Sequence, residues 1–361
     1  MNAVSPLSAE TLIPLSKPLQ VMSDLRDAFG EFSEIAGIDS AWSAAFDIGR
    51  TSAHLHEKGI AFRVEAGDDT SLAFLQWSVA EHIVGLASGE TPDIVWHGGT
   101  VAGAPLPYFR ELTVVRAVQV TPKLRRVTLR GHDLARFARD GLHIRLLLAP
   151  QPGVTPVWPV MASDGRQAWP EGERPVLRVY TLRRVDVGTG EVDIDFVLHD
   201  GDAMPGARFG AEAQPGMVVG MMGPGGSTIK PAPRYVFAAD ETGLPAIARM
   251  LDELPEGVAA TALLEVADSG EIQNLPVREN VEVRWFSRDG RPGGTTALLA
   301  DAVASLDETA MDAETFVWVG CEHAAARAIR KFLKQDRQHP RDRHLVAAYW
   351  RRGQAGEIVK G

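Results

Sequence analysis

Residues 178–184 read RVYTLRR. In an extended chain Arg178 and Tyr180 project to one side, Val179 and Thr181 to the other. Two kinds of cationic position, a phenol and a hydroxyl in so short a run are more than packing requires. The run sits inside VLRVYTLRRVD (176–186), between HIRLLLAP (143–150) and EVDIDFVLH (191–199). Farther out, LTVVRAVQVTP (112–122), LRRVTLRG (124–131) and GMVVGMMGP (216–224) repeat the same pattern of short alternating apolar runs bounded by turns. Six such runs predict an antiparallel β-barrel over 111–229. DLARFAR (133–139) and MPGARFGAEAQPG (204–216) interrupt it as loops or short helices.

Beyond the break GPGGSTIKPAPR (223–234) the period changes. RYVFAAD, TALLEVAD, VEVRWFSR, TFVWVGCE and HLVAAYWRRG read as strands, and TGLPAIARMLDEL, GTTALLADAVASL and HAAARAIRKFLKQD as helices between them. Pro245 stands where a first helical turn tolerates proline. Buried strands alternating with helices predict an α/β parallel-sheet domain over 232–361, with ligands at the C-terminal ends of its strands. Before the Gly/Pro-rich linker HGGTVAGAPLP (97–107), helical and strand-like runs mix. The fold class expected is multi-domain: a small α+β domain of uncertain function (1–107), the barrel (111–229) and the α/β domain (232–361).

Of the 361 residues, 45% are hydrophobic and 23% charged, the balance of a globular protein with real cores. A net charge of −10 argues against a general nucleic-acid binder. No apolar run reaches the ~18 residues that a membrane span needs. MNAVSPLSAETLIPLSKPLQ has neither a basic n-region nor an apolar core, so no secretory signal is expected and the expected compartment is cytoplasmic. The single cysteine, Cys321, excludes an intrachain disulfide and a cysteine metal cluster. His54 and His56, with His82, lack a local carboxylate or cysteine partner and read as surface or core residues; no metal site is assigned.

Arg178 is suited to a pyrophosphate, Tyr180 to the face of a flat ring and Thr181 to a ring heteroatom. A flavin dinucleotide offers all three targets; a strand with one exposed face is the competing explanation. The motifs R-x-Y-T-x-R (178–183), D-F-V-x-H (195–199), D-E-T-x-L-P-A-I (240–247) and Y-W-R-x-G (349–353), in that order, resemble the siderophore-interacting protein family. Those are flavin-dependent ferric-siderophore reductases related to the ferredoxin-reductase superfamily. The resemblance spans 111–353. The preceding segment, through SLAFLQWSVAEHIVGLASGETPDIVWHG, resembles a small uncharacterised domain found beside them.

The resemblance implies FAD binding by Arg178, Tyr180, Thr181, Arg183, Asp195, His199 and a Gly/Ala-rich turn containing Gly206, Ala207, Phe209 and Gly210. The family usually has a Trp-Ala pair where this chain has Phe209-Gly210. Tyr349 and Trp350 are expected to shield or stack on the flavin. For NADPH or NADH it implies Asp240, Thr242 and Gly243 at a helix N-terminus, where an ordinary N-cap is the alternative, and Cys321 with Glu322 near the nicotinamide. Ser287 and Arg288, directly after a strand, read as a clamp that leans toward the 2′-phosphate of NADPH, with an exposed strand-end arginine as the competing explanation. An anionic ferric siderophore would meet Arg145, Arg351 and Arg352. No acid–base catalytic residue is assigned. The function implied is reduction of ferric siderophores by NAD(P)H through flavin. Two alternatives stay open: a general NAD(P)H-dependent flavin or electron-carrier oxidoreductase, and a non-enzymatic siderophore-binding flavoprotein.

Overall fold

The computed structural model describes residues 6–30, 33–87, 89–99, 101–139, 141–198, 205–226, 229–275 and 278–354. They fall into two units, one built from residues up to Phe109 together with 154–174, the other from 110–153 and the chain from Pro175 onward.

In the first unit, strands β1 (Leu7–Ile13), β2 (Glu34–Ile38), β3 (Ala41–Phe46), β4 (Gly49–His56), β5 (Gly59–Ala66) and β6 (His97–Gly98) form a sheet in the order β2-β3-β4-β5-β1-β6. Alternation turns Ala9, Ile13, Phe62 and Val64 into a core shared with α1 (Pro18–Gly30) and α2 (Asp69–Leu86). Asp68 caps α2, its carboxylate accepting the Ser71 amide at 2.9 Å.

The barrel sheet contains β7 (Phe109–Thr121), β8 (Leu124–Arg130), β9 (His143–Leu148), β12 (Val176–Thr181), β13 (Arg184–Asp186), β14 (Glu191–Val197) and β15 (Val218–Gly225), with the short α3 (Ala135–Arg139) between β8 and β9. Two further strands, β10 (Val160–Met161) and β11 (Gln167–Ala168), pair with each other and belong to the first unit. There the Met161 amide donates to Ala104 O (2.9 Å) and the Gly103 amide to Met161 O (2.8 Å), so this part of the Gly/Pro-rich segment is hydrogen-bonded structure and not a free spacer.

The barrel order is β12-β9-β15-β7-β8-β14-β13. The run 176–186 reads as one strand in sequence, yet it supplies both edges of this sheet. The Leu182 amide donates to Leu142 O on one side and the Arg183 amide to Asp193 O on the other, each at 2.9 Å, so the chain crosses from edge to edge and the sheet closes. This division makes seven strands where six runs were expected. Val127, Leu129, Ile144, Leu146, Ile194 and Phe196 fill the interior.

The remaining strands, β16 (Arg234–Ala239), β17 (Ala259–Val266), β18 (Val281–Ser287), β19 (Phe316–Glu322) and β20 (His344–Trp350), are all parallel, in the order β18-β17-β16-β19-β20. Tyr235, Phe237 and Ala239 face α5 (Leu244–Glu253), while Val236 and Ala238 face α6 (Leu298–Ala304) and α7 (His323–Lys331). Burial on both faces explains why RYVFAA is continuously apolar. The chain enters at β16 and reverses its direction of travel between β16 and β19, which opens a crevice at the strand ends there.

Barrel and parallel sheet are tied together within the second unit. Leu142 is buried in the core under α5. The Arg249 guanidinium, from α5, donates to Leu182 O at 3.3 Å, and the Glu271 carboxylate accepts the Lys123 amide at 2.9 Å. No helix among the described residues is long and apolar enough to cross a membrane.

Gly243 lies where α5 meets β16 and β19. A Cβ there would stand 2.1 Å from Gly320 O and 2.9 Å from the Ala239 Cβ, both fixed by the sheet. Gly243→Ala is therefore expected to destabilise the protein by about 3 kcal/mol, read as a lower urea midpoint. An unchanged midpoint would contradict this packing.

Candidate functional site

The RVYTLRR stretch carries an unsatisfied cation. Arg178 donates through Nη1 to Leu177 O at 2.7 Å, but its Nε is buried without a partner, and among the described residues it has no carboxylate. A buried donor left unpaired costs about 1–3 kcal/mol, which an anion at this point would recover. Tyr180 projects on the same side, its ring 4.5 Å from that of Phe196, which in turn lies 5.5 Å from Phe209. Burial, ahead of the opposing effect of Arg178, pushes the Tyr180 phenol up from its ordinary pKa.

Phe209 belongs to α4 (Pro205–Glu212), the short helix that 204–216 allows, and the Gly/Ala-rich turn expected over 206–210 is part of it. Pro205 opens it, as proline can in a first turn. Helical geometry brings two glycines against the aromatic row. A Cβ on Gly206 would stand 2.1 Å from the Tyr180 hydroxyl, and one on Gly210 2.5 Å from the Phe196 Cβ. Tyr180, Phe196, Gly206, Phe209 and Gly210 thus form one cluster between β12, β14 and α4, with Arg178 two residues before Tyr180 on its strand and Ala207 buried on α4. An orphaned guanidinium N–H beside an aromatic row, with Gly206 and Gly210 letting α4 lie close to it, suits a flavin dinucleotide.

Three residues expected with this cluster are committed elsewhere. Asp195 follows the alternation of β14 to the face opposite Phe196, where Arg126 holds its carboxylate through two bonds of 2.7 and 2.8 Å. Arg183 pairs with Asp252 on α5 and ties barrel to sheet. Trp350 donates to Asp240 and so belongs to the crevice described below. His199 lies outside the described residues.

Tyr349, on the other face of β20, turns toward the barrel. Its phenol meets His143 Nε2 at 2.5 Å, and His143 is the register partner of Thr181 across β9 and β12. Burial pushes that phenol up from its ordinary pKa. Burial, with the Arg249 cation as the second cause, pushes His143 down from 6.5 to about 4. The folded protein then binds fewer protons here than the unfolded chain. The resulting stability is fully present above pH 6.5 and is lost as pH falls toward 4, by about 3 kcal/mol. His143→Gln should make the acid limb of a stability–pH profile shallower by that amount. An unchanged limb would mean that His143 is not held neutral.

At the crevice, Asp240 ends β16 and organises everything near it. Its Oδ1 accepts the Thr242 amide (2.9 Å) and hydroxyl (2.6 Å), and its Oδ2 accepts the Glu322 amide and the Trp350 indole, each at 2.8 Å. Burial and then Glu241 push the Asp240 carboxyl up to about 6. The Gly243 and Leu244 amides donate to Asp240 O at 3.1 and 3.0 Å. The N–H groups of Thr242 and Gly243 expected to await a phosphate are therefore already bonded, to a residue that would repel one.

Arg288 also differs from expectation. It is 4% exposed and donates to Glu241 (3.0 Å) and Glu265 (3.2 Å), while the Ser287 hydroxyl donates to Asp289 at 2.8 Å. Two carboxylates neutralise the guanidinium, so the 2′-phosphate clamp expected from Ser287 and Arg288 is not formed. Cys321 is 1% exposed, and burial pushes its thiol up, which leaves no thiolate for chemistry. Beside it, Asp240, Glu265, Thr296 and Glu322 line a small pocket of about 30 Å³, room for a water. Glu322 caps α7 through the Ala324 amide and accepts the Arg352 amide at 3.1 Å.

Arg145, Arg351 and Arg352 are exposed. Arg145 lies opposite Val179 across β9 and β12, and Arg351 and Arg352 follow the end of β20. Sequence reading passed over Phe196, although it stands inside D-F-V-x-H, and His143, whose partner is 206 residues away. It passed over Glu241 and Glu265 as well, because nothing local announces that they enclose Arg288.

A closed antiparallel barrel with a cation-bearing strand, followed by a parallel sheet with its crevice at the strand ends, defines the flavoprotein reductase class of scaffold. Residues 113–228 match the siderophore-interacting FAD-binding domain, residues 232–353 the siderophore-interacting protein model, and residues 10–97 an uncharacterized protein family conserved in bacteria, DUF2218. The ferric vibriobactin reductase of Vibrio cholerae is 34% identical over 69% of this chain and 92% of its own length. The NADPH-dependent ferric-chelate reductase of Escherichia coli is 30% identical over 67% of this chain and 92% of its own. A crystal structure of a siderophore utilization protein from T. fusca aligns with a TM-score of 0.59 at 36% identity, covering 69% of this chain and 95% of that one. The chain belongs to the siderophore-interacting protein family, with an additional N-terminal domain.

Proposed function

We propose that this protein is an FAD-dependent reductase that takes electrons from NAD(P)H and delivers them to the Fe(III) of a siderophore, releasing Fe(II) for iron acquisition in the cytoplasm. The observation that carries the reading is the buried, unpartnered Arg178 Nε beside Tyr180 and the glycine start of α4. Kinship with the ferric vibriobactin and ferric-chelate reductases supports the acceptor and the donor.

Bound FAD would supply the chemistry that side chains lack, accepting a hydride and passing electrons on singly. Arg178 would bind its pyrophosphate and Tyr180 would face its ring system. Thr181 offers its hydroxyl to a ring heteroatom, and Phe209 and Gly210 hold α4 against the aromatic row. Tyr349 closes the site from β20 and excludes water. NAD(P)H is given no phosphate contact with Thr242 or Arg288, whose donors are taken. Arg145, Arg351 and Arg352 are exposed cations that would draw in an anionic chelate. Fe(II) binds hard oxygen ligands more weakly than Fe(III), so reduction frees the metal without an acid–base residue.

The test is anaerobic turnover with NADPH or NADH, with liberated Fe(II) captured by a ferrous-specific chromophoric chelator. Faster reduction of catecholate or hydroxamate ferric chelates than of free flavin or ferricyanide supports the reading. Equal rates would favour a general electron-carrier reductase, and chelate binding without turnover would favour a carrier.

A further inference from the structure

The flavin site as proposed leaves one polar side chain unused. His143 opens β9 as the register partner of Thr181 on β12. Its ring stands edge-to-face with Tyr349 at 5.3 Å and 79°, with Nε2 on the phenol oxygen. Trp318 packs against the same phenol at 6.1 Å and 89°. Gly320 lies close beneath, where an added Cβ would reach within 3.0 Å of the Tyr349 Cζ. Tyr349 is thus confined between an imidazole, an indole and backbone; its hydroxyl bonds His143, and Thr181, the register partner of His143, presents its side chain on the same face of the β9–β12 pair.

We propose that His143 is a positioning residue: by fixing the phenol of Tyr349 it sets the direction in which the Thr181 hydroxyl is offered to the flavin. This rests on the FAD reading above.

A neutral imidazole has a single N–H, and each hydroxyl has one hydrogen to give. When His143 donates from Nε2, the phenol oxygen is an acceptor on that side and its own hydrogen goes to Thr181 Oγ1. The Thr181 hydrogen is then left to point outward, toward an accepting ring atom. When Nδ1 carries the proton instead, the phenol donates to Nε2. Thr181 is then drawn to donate to the phenol, and its outward-facing side is a lone pair. The Nε2–H tautomer is therefore the one that serves an oxidised flavin. His143 is kept neutral by its burial and by Arg249, so a single tautomer decides the whole row.

The experiment is a double-mutant cycle on FAD affinity, using flavin-stripped full-length protein and the quenching of FAD fluorescence. His143→Leu and Tyr349→Phe should each weaken binding about 10-fold, and the double variant no more than either alone. His143→Gln, whose amide can still donate to the phenol, should restore affinity to within about 3-fold of the parent. Wild-type affinity in Tyr349→Phe, or effects that multiply, would overturn the proposal.

A second readout needs neither flavin nor His143→Leu. Selective ¹⁵N-histidine spectra of the flavin-stripped protein at neutral pH should show His143 neutral with the proton on Nε2. A proton on Nδ1, or a charged ring, overturns the proposal. Failure of the wild-type protein to bind FAD at all would remove the parent reading, and the inference with it. Normal FAD binding with additive variants would remove the inference alone.

Discussion

Arg178→Ala combined with Thr181→Ala is expected to yield a folded protein purified largely without flavin. Arg178 gives its Nη1 to the neighbouring Leu177 carbonyl and keeps a buried Nε unpaired, so its removal strands no carboxylate. The fold loses little. The ligand loses a charge-assisted bond of about 1.5–3 kcal/mol and the hydroxyl partner of its ring, together on the order of 100-fold in affinity or more. The check is the ratio of flavin to protein absorbance after purification, with a dissociation constant from titration. Full occupancy with an unchanged constant would remove both residues from the site.

Arg288→Ala acts on the opposite term. This guanidinium is enclosed, with side-chain exposures of 5% for Arg288, 13% for Glu241 and 7% for Glu265. Truncation leaves two poorly solvated carboxylates facing each other near Asp240, itself pushed up by burial and Glu241. Breaking a buried pair from one side costs about 3–5 kcal/mol, a large share of the stability of a typical domain. The variant should show a much lower urea midpoint and poor recovery, whichever nucleotide is present. A normal midpoint with a raised KM for NADPH alone would reinstate Arg288 as the reader of a 2′-phosphate.

The two substitutions divide the arginines that the sequence treats alike. Arg178, Arg183 and Arg288 all follow or end apolar runs, and all suit phosphate on chemistry alone. What separates them is the carboxylate at the other end. Arg183 meets Asp252 on α5, Arg288 meets Glu241 and Glu265 on neighbouring strand ends, and Arg178 meets none among the described residues. Those pairings cross between elements, so no local pattern reveals them.

Strand period served better. Continuous apolar strands between helices were enough to recognise the parallel sheet, and short alternating runs the barrel, because burial on two faces or one leaves its mark residue by residue. Alternation also carries the information that Asp195 and Phe196 face opposite sides, although the motif containing both suggests a shared role. The break at Leu182–Arg183, which sends 176–186 to both edges of the barrel, leaves no mark because both halves are equally strand-like. The attachment of 154–174 to the N-terminal unit is equally silent, since it rests on main-chain bonds such as Met161 to Ala104.

The most direct measurement is an anaerobic stopped-flow absorbance trace of the flavin-loaded protein, mixed first with NADPH or NADH and then with a ferric catecholate or hydroxamate siderophore. The oxidised-flavin band should bleach with the nucleotide and return with the chelate as Fe(II) accumulates. A band that bleaches and is restored by no ferric chelate would contradict siderophore reduction as the function of this chain.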